Sequence, residues 1–122
     1  MAGKLSTHVL DTVHGCPARN VKLELWAIAN DQTKTLRKTL YTNQDGRTDQ
    51  LLLDATEMQV GIYEIWFYVN DYFASWEPAK SNSSDLTFLG IVPIRFAITN
   101  ASESYHVPLL VSPWSYSTYR GS

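Results

Sequence analysis

A chain of 122 residues with 44% apolar content can build one domain with a buried core and is too short for two ordinary ones, so 1–122 reads as a single domain. A formal net charge of -2, with acids and bases scattered singly, leaves no electrostatic footprint for nucleic acid or an anionic membrane surface. The lone cysteine, Cys16, excludes an internal disulfide framework, and no apolar run is long enough for a bilayer helix.

Apolar residues recur at a period of two, which predicts an all-β chain of seven or eight strands with one short helix. The first strand covers residues 5–10 and ends in a turn cluster, 11–19, that contains Gly15 and Pro17. Residues 21–25 alternate cleanly, as a strand with one buried and one wet face does. A third strand, 34–41, runs into Asn43-Gln44-Asp45-Gly46, where Gly46 can take the positive φ of a tight turn. Residues 51–53 form a brief fourth strand. In residues 61–69, Tyr63, Ile65, Phe67 and Val69 share one face; the other, with Ile62, Glu64, Trp66 and Tyr68, is unusually aromatic for a solvated surface.

Asn70 or Asp71 is placed to cap one or two helical turns that end before Pro78. After a polar loop at 80–85, residues 88–98 resume the alternation with Val92, Ile94, Phe96 and Ile98 inward, and Pro93 marks an edge or a bulge. Strands at 106–112 and 115–120 flank the Pro113-Trp114 corner. Short strands with turn signals at this spacing argue for a β-sandwich.

The start, Met1 to Ser6, lacks the charged-then-apolar build of a secretory signal. The expected compartment is the cytoplasm, with a peroxisomal address as the alternative although no peroxisomal tripeptide ends the chain. The sequons at Asn82 and Asn100 then read as chance matches.

Few titratable groups fall on the strands, so those that do stand out. His8 shares its face with Ser6 and Leu10, opposite Leu5, Thr7 and Val9. His106 shares its face with Pro108, Leu110 and Ser112; Val107, Leu109 and Val111 make the better core face, so His106 looks outward. In the last strand Ser115, Ser117 and Tyr119 have one parity and Tyr116, Thr118 and Arg120 the other. If these three strands share a sheet, two imidazoles, a phenol and the terminal Ser122 converge. Imidazole takes and gives protons near neutrality, which suits hydrolysis, and the planar fork of Arg47 matches a carboxylate, an enolate or a urea-like edge. The ordinary alternatives are surface histidines and a solvated loop arginine. No third ligand accompanies the histidines at a metal-binding spacing, and Cys16 lacks an adjacent base, which leaves water as the attacking group. Trp66, Tyr68, Tyr72, Phe73 and Trp76 read as core or subunit packing.

The segments Leu5-Ser6-Thr7-His8-Val9-Leu10-Asp11, Gly15-Cys16-Pro17-Ala18, Thr42-Asn43-Gln44-Asp45-Gly46-Arg47, His106-Val107-Pro108-Leu109-Leu110 and Tyr119-Arg120-Gly121-Ser122 resemble the transthyretin-related 5-hydroxyisourate hydrolases in order and spacing. The closing Tyr119-Arg120-Gly121-Ser122 is the specific part, because it resembles the tetrapeptide of the enzyme branch; the hormone-carrying transthyretins share the sandwich and lack that ending and the histidines. The resemblance implies a transthyretin-like sandwich of two antiparallel sheets, assembled as a homotetramer from two edge-paired dimers with sites between the dimers. It implies His8, Arg47, His106 and Ser122 as the catalytic set, with Tyr119 and Arg120 at the substrate beside His8 and Arg47. Metal and organic cofactor are not part of the implied chemistry, and the one small-molecule partner is 5-hydroxyisourate, a urate breakdown intermediate. Residues 74–89 depart most from the family pattern. Two other classes compete: a transthyretin-like carrier of a small aromatic ligand, and a structural or metal-storage protein.

Overall fold

Period-two patterning becomes eight strands and one helix in the computed structural model, which describes residues 2–76 and 87–121. The 80–85 loop, Pro78, the Asn82 sequon and Ser122 lie outside the described residues. The elements are β1 Lys4–Asp11, β2 Cys16–Pro17, β3 Lys22–Ile28, β4 Lys34–Tyr41, β5 Gly61–Tyr68, α1 Val69–Trp76, β6 Ile91–Ile98, β7 Ser104–Val111 and β8 Tyr116–Thr118. They form two four-stranded sheets, ordered β2-β1-β7-β8 and β4-β3-β5-β6. The expected sandwich is present, with one pairing of a different sense. β1 and β7 run parallel, in register from Lys4 opposite Ser104 to Asp11 opposite Val111. A parallel pair needs a long crossover, and the whole second sheet supplies it.

The inward faces follow the alternation. Leu5 and Val9 of β1, Leu23 and Leu25 of β3, Ile65 and Phe67 of β5 and Leu109 of β7 are all buried without residue, and each contributes about 1.5–3 kcal/mol through lost contact with water. Pro93 sits on the edge strand β6, where its missing donor costs no ladder bond. The aromatic outer face of β5 has a polar explanation. Register sets Glu24 opposite Trp66 and Trp26 opposite Glu64, so indoles and carboxylates alternate like a checkerboard. Trp66 Nε1 donates to Glu64 Oε1 at 2.9 Å, Tyr68 Oη to Glu24 Oε1 at 2.8 Å and Arg95 Nε to Glu64 Oε2 at 2.8 Å. Burial and the bond to Glu24 push the Tyr68 hydroxyl up to about 12. The two carboxylates are nearly buried, and these donors replace their lost water.

Four local expectations change. Residues 51–53 make a single bridge, between Leu53 and Leu5, because three residues ahead of the Asp54 turn are too few for a ladder. Cys16–Pro17, read as turn, pairs with Asp11 and Leu10 once Gly15 reverses the chain at φ 69°. Strand β6 begins at Ile91, leaving Phe88 78% exposed, and β8 closes at Thr118. The helix begins two residues before Asp71, so Asn70 lies inside it and does not cap it: its buried Oδ1 meets no hydrogen-bond partner among the described residues, while its N–H goes to the Gly90 carbonyl.

Asp11 ties the helix to the sandwich. Its carboxylate, 1% exposed at the end of β1, accepts from the Tyr72 hydroxyl at 2.6 Å, from His14 Nδ1 at 2.6 Å and from the backbone of Val13 and His14. Burial alone would raise its carboxyl; these donors together bring it below the ordinary value. His14 in turn stacks on Trp76 at 3.7 Å. Tyr72→Phe leaves a buried carboxylate one donor short, and we expect it to lower stability by about 1–3 kcal/mol, read as a lower urea midpoint at unchanged slope.

Candidate active site

Three strands of one sheet and one turn deliver the candidate groups. β1 and β7 are neighbours and β8 pairs with β7, so the adjacency that the sequence left open is realised. Burial of Leu5, Thr7 and Val9 on one side of β1, and of Tyr105, Val107 and Leu109 on one side of β7, turns Ser6, His8 and His106 to the opposite, outer face. Because the ladder is parallel, Ser6 stands directly across from His106 and His8 across from Pro108. Both imidazoles are half-buried.

Arg47 arrives by a turn that its own sequence dictates. Asn43 Oδ1 accepts from the N–H groups of Asp45 and Arg47, and the Asn43 N–H reaches the Arg47 carbonyl at 2.6 Å. Gly46 then sits at φ 75°, and its carbonyl receives the Val9 N–H at 2.8 Å, which docks the turn beside His8. A Cβ at position 46 would lie 2.4 Å from the Val9 carbonyl, so only glycine lets the turn approach this closely. Arg47 itself is exposed.

The consequence is electrostatic. His8 is held below the ordinary 6.5 by burial and by the Arg47 charge, against a smaller opposing pull from the Asp45 carbonyl and carboxylate. His106 is lowered by burial, then by Arg47, His8 and Lys4. Both shifts favour the neutral ring, which has a lone pair to accept a proton.

The C-terminal tail meets the same place. Thr118 Oγ1 donates to the Pro108 carbonyl at 2.7 Å, and beyond β8 the Gly121 N–H donates to the His106 carbonyl at 2.7 Å. Arg120 is directed elsewhere. Its guanidinium binds Glu103 at 3.0 Å and the Ser104 carbonyl at 3.2 Å and lies 4.1 Å over the ring of buried Tyr105, which alternation puts on the face opposite His106. Tyr119 is 59% exposed and two residues from Gly121, whose α-carbon faces the His106 ring. Sequence reading passed over Ser6 as a site residue. Its Oγ lies 2.9 Å from His106 Nδ1, and the shared parity with His8 was the one signal for it. Among the described residues no group of three His, Cys, Asp or Glu side chains could hold a metal ion.

A family model described as the HIUase/Transthyretin family matches residues 5–121. The chain is 48% identical over 120 residues to the 5-hydroxyisourate hydrolase of Ralstonia nicotianae, an alignment that covers 98% of this chain and 99% of that protein. The crystal structure of (S)-allantoin synthase matches with a TM-score of 0.87 at 44% identity, over 99% of this chain and 44% of that one. Sea bream transthyretin in complex with thyroxine matches with a TM-score of 0.82 at 25% identity, over 97% of this chain and 94% of that one.

Replacing Arg47 by Ala removes the cation common to both histidines. We expect the His8 and His106 titrations, followed through their ring protons, to move up towards 6.5 while burial keeps them from reaching it.

Proposed function

The chain belongs to the HIUase/Transthyretin family, and from that premise we propose that it hydrolyses 5-hydroxyisourate, opening its cyclic amide in the breakdown of urate. The observation that carries this reading is the convergence of His8, His106 and Arg47 on the outer face of the β1–β7 ladder, with the tail beside them.

In the proposed sequence a neutral imidazole, His8 or His106, takes a proton from water, and the resulting hydroxide attacks the ring carbonyl. Negative charge then builds on the carbonyl oxygen, where the Arg47 guanidinium offsets it. When the C–N bond breaks, the imidazolium returns its proton to the departing nitrogen. Arg47 also holds the anionic, carbonyl-rich ring before reaction, Tyr119 lines the substrate, and Ser122 orients substrate or water. Arg120 acts from the other side of the sheet by anchoring the tail through Glu103 and Tyr105. These transfers balance without a metal or an organic cofactor.

The same reading includes a homotetramer, a dimer of dimers, in the cytoplasm. Its support is the open edges at β6 and β8 and the exposure of Trp114, Tyr116 and Tyr119 along the β7–β8 hairpin and the tail that follows it, at 69%, 44% and 59%. Light scattering is expected to return the mass of four chains, and a monomer at working concentration would overturn the assembly.

The direct test generates 5-hydroxyisourate in place from urate and follows its ultraviolet decay. Added protein accelerates the decay, and His106→Ala or deletion of Ser122 lowers the rate by about 10²–10⁴-fold with the fold retained. Since the working base is a neutral imidazole of depressed pKa, kcat/KM is flat at neutral pH and falls as the medium is acidified through a value below 6.5. A second reading, a carrier of a small aromatic ligand, rests on the likeness to the thyroxine complex. It predicts decay no faster than in buffer, together with saturable binding of such a ligand.

A further inference from the structure

His106 is held on three sides. Its backbone belongs to β7, its Nδ1 edge meets the Ser6 hydroxyl at 2.9 Å, and its Cδ2 edge faces Gly121. The fit at Gly121 is close enough that a Cβ there would stand 2.8 Å from His106 Cδ2 and 3.2 Å from its Cβ. Any side chain at 121 must swing the imidazole off Ser6 or lift the tail off the His106 carbonyl, because both contacts cannot survive the overlap. The last glycine of the chain is thus required by the histidine beside it. Ser6, for its part, is brought there by register alone, through eight residues of parallel ladder that leave it no freedom to slide.

A ring nitrogen engaged by a hydroxyl has its tautomer set by the direction of that bond. The titratable and charged groups around this ring are Arg47, His8 and Lys4. Two of the three are cations, and a cation attracts a bare lone pair and repels an N–H. Resting on the hydrolase reading above, we propose that Ser6 is a positioning residue: its Oγ accepts the Nδ1 proton of His106, which fixes the tautomer whose Nε2 presents a lone pair to water, while Gly121 backs the opposite edge of the ring. This assigns the base role to His106 and leaves His8 as the group that donates or steadies.

The test uses Ser6→Ala and Ser6→Thr with the full chain, alongside Gly121→Ala. Ser6→Ala is expected to lower kcat by about tenfold to a hundredfold with KM little changed, since substrate contacts are intact and only the base is loosened. Ser6→Thr restores the hydroxyl and most of the rate. Ring nitrogen chemical shifts give a readout that needs no substrate. The wild-type chain is expected to show a protonated Nδ1 and a bare Nε2 at His106, and Ser6→Ala and Gly121→Ala to show averaged tautomers. A wild-type Nδ1 without a proton, or a Ser6→Ala variant with wild-type kcat and unmoved nitrogen shifts, overturns the proposal. A wild-type chain that leaves 5-hydroxyisourate untouched, yet shows the expected shifts, overturns the reaction and spares the clamp.

Discussion

The parallel ladder between β1 and β7 is the constraint on which the site depends. It joins residues about a hundred positions apart, and its register sets Ser6 against His106 and brings His8 onto the same outer face. A slip of one residue would turn Leu5, Val9, Val107 and Leu109 out of the core and the imidazoles into it. Burial of those four side chains therefore holds the geometry of the candidate site as well as the fold, and the two cannot be varied separately. The second sheet makes this possible, because the crossover between parallel neighbours has to be long.

On that frame the electrostatics are built by proximity. Arg47 reaches the histidines through a turn locked by Asn43 and by the glycine against Val9, and its charge adds to burial in favouring the neutral form of both rings. The guanidinium proposed to hold the anionic substrate thus also favours the neutral form of the proposed base. The cost of crowding cations and imidazoles is kept small by solvent, since Arg47 is exposed and the rings are half-buried. At the opposite end of β1, Asp11 gathers Tyr72, His14 and two backbone donors, so the strand that carries Ser6 and His8 is pinned at its far end by a saturated carboxylate.

Much of this was legible in the chain. Strand alternation placed the inward faces of β1, β5, β6 and β7, because one buried face imposes a period of two on side-chain polarity. The positive φ of Gly46 was foreseen from turn chemistry, which is local. Elements that rest on one or two bridges were misread, Cys16–Pro17 as turn and residues 51–53 as a strand. Cys16–Pro17 pairs only because Leu10 and Asp11 stand opposite, and residues 51–53 join the sheet through a single bridge to Leu5, so neither carries a pattern of its own. The aromatic face of β5 looked anomalous because its partners, Glu24 and Arg95, come from neighbouring strands.

Residue types and their parity were readable from the chain alone: two outward imidazoles, an arginine behind a glycine turn, the segment Tyr119-Arg120-Gly121-Ser122, and a sandwich to carry them. These follow from side-chain chemistry and from the two-residue repeat of an extended chain, both of which are local. The packed fold was needed to establish which strands adjoin, that β1 and β7 run parallel, that Ser6 meets His106 Nδ1, and that Arg120 turns away to Glu103 and Tyr105. Those outcomes depend on the order and register of segments far apart in the chain, which are set by packing the whole core at once.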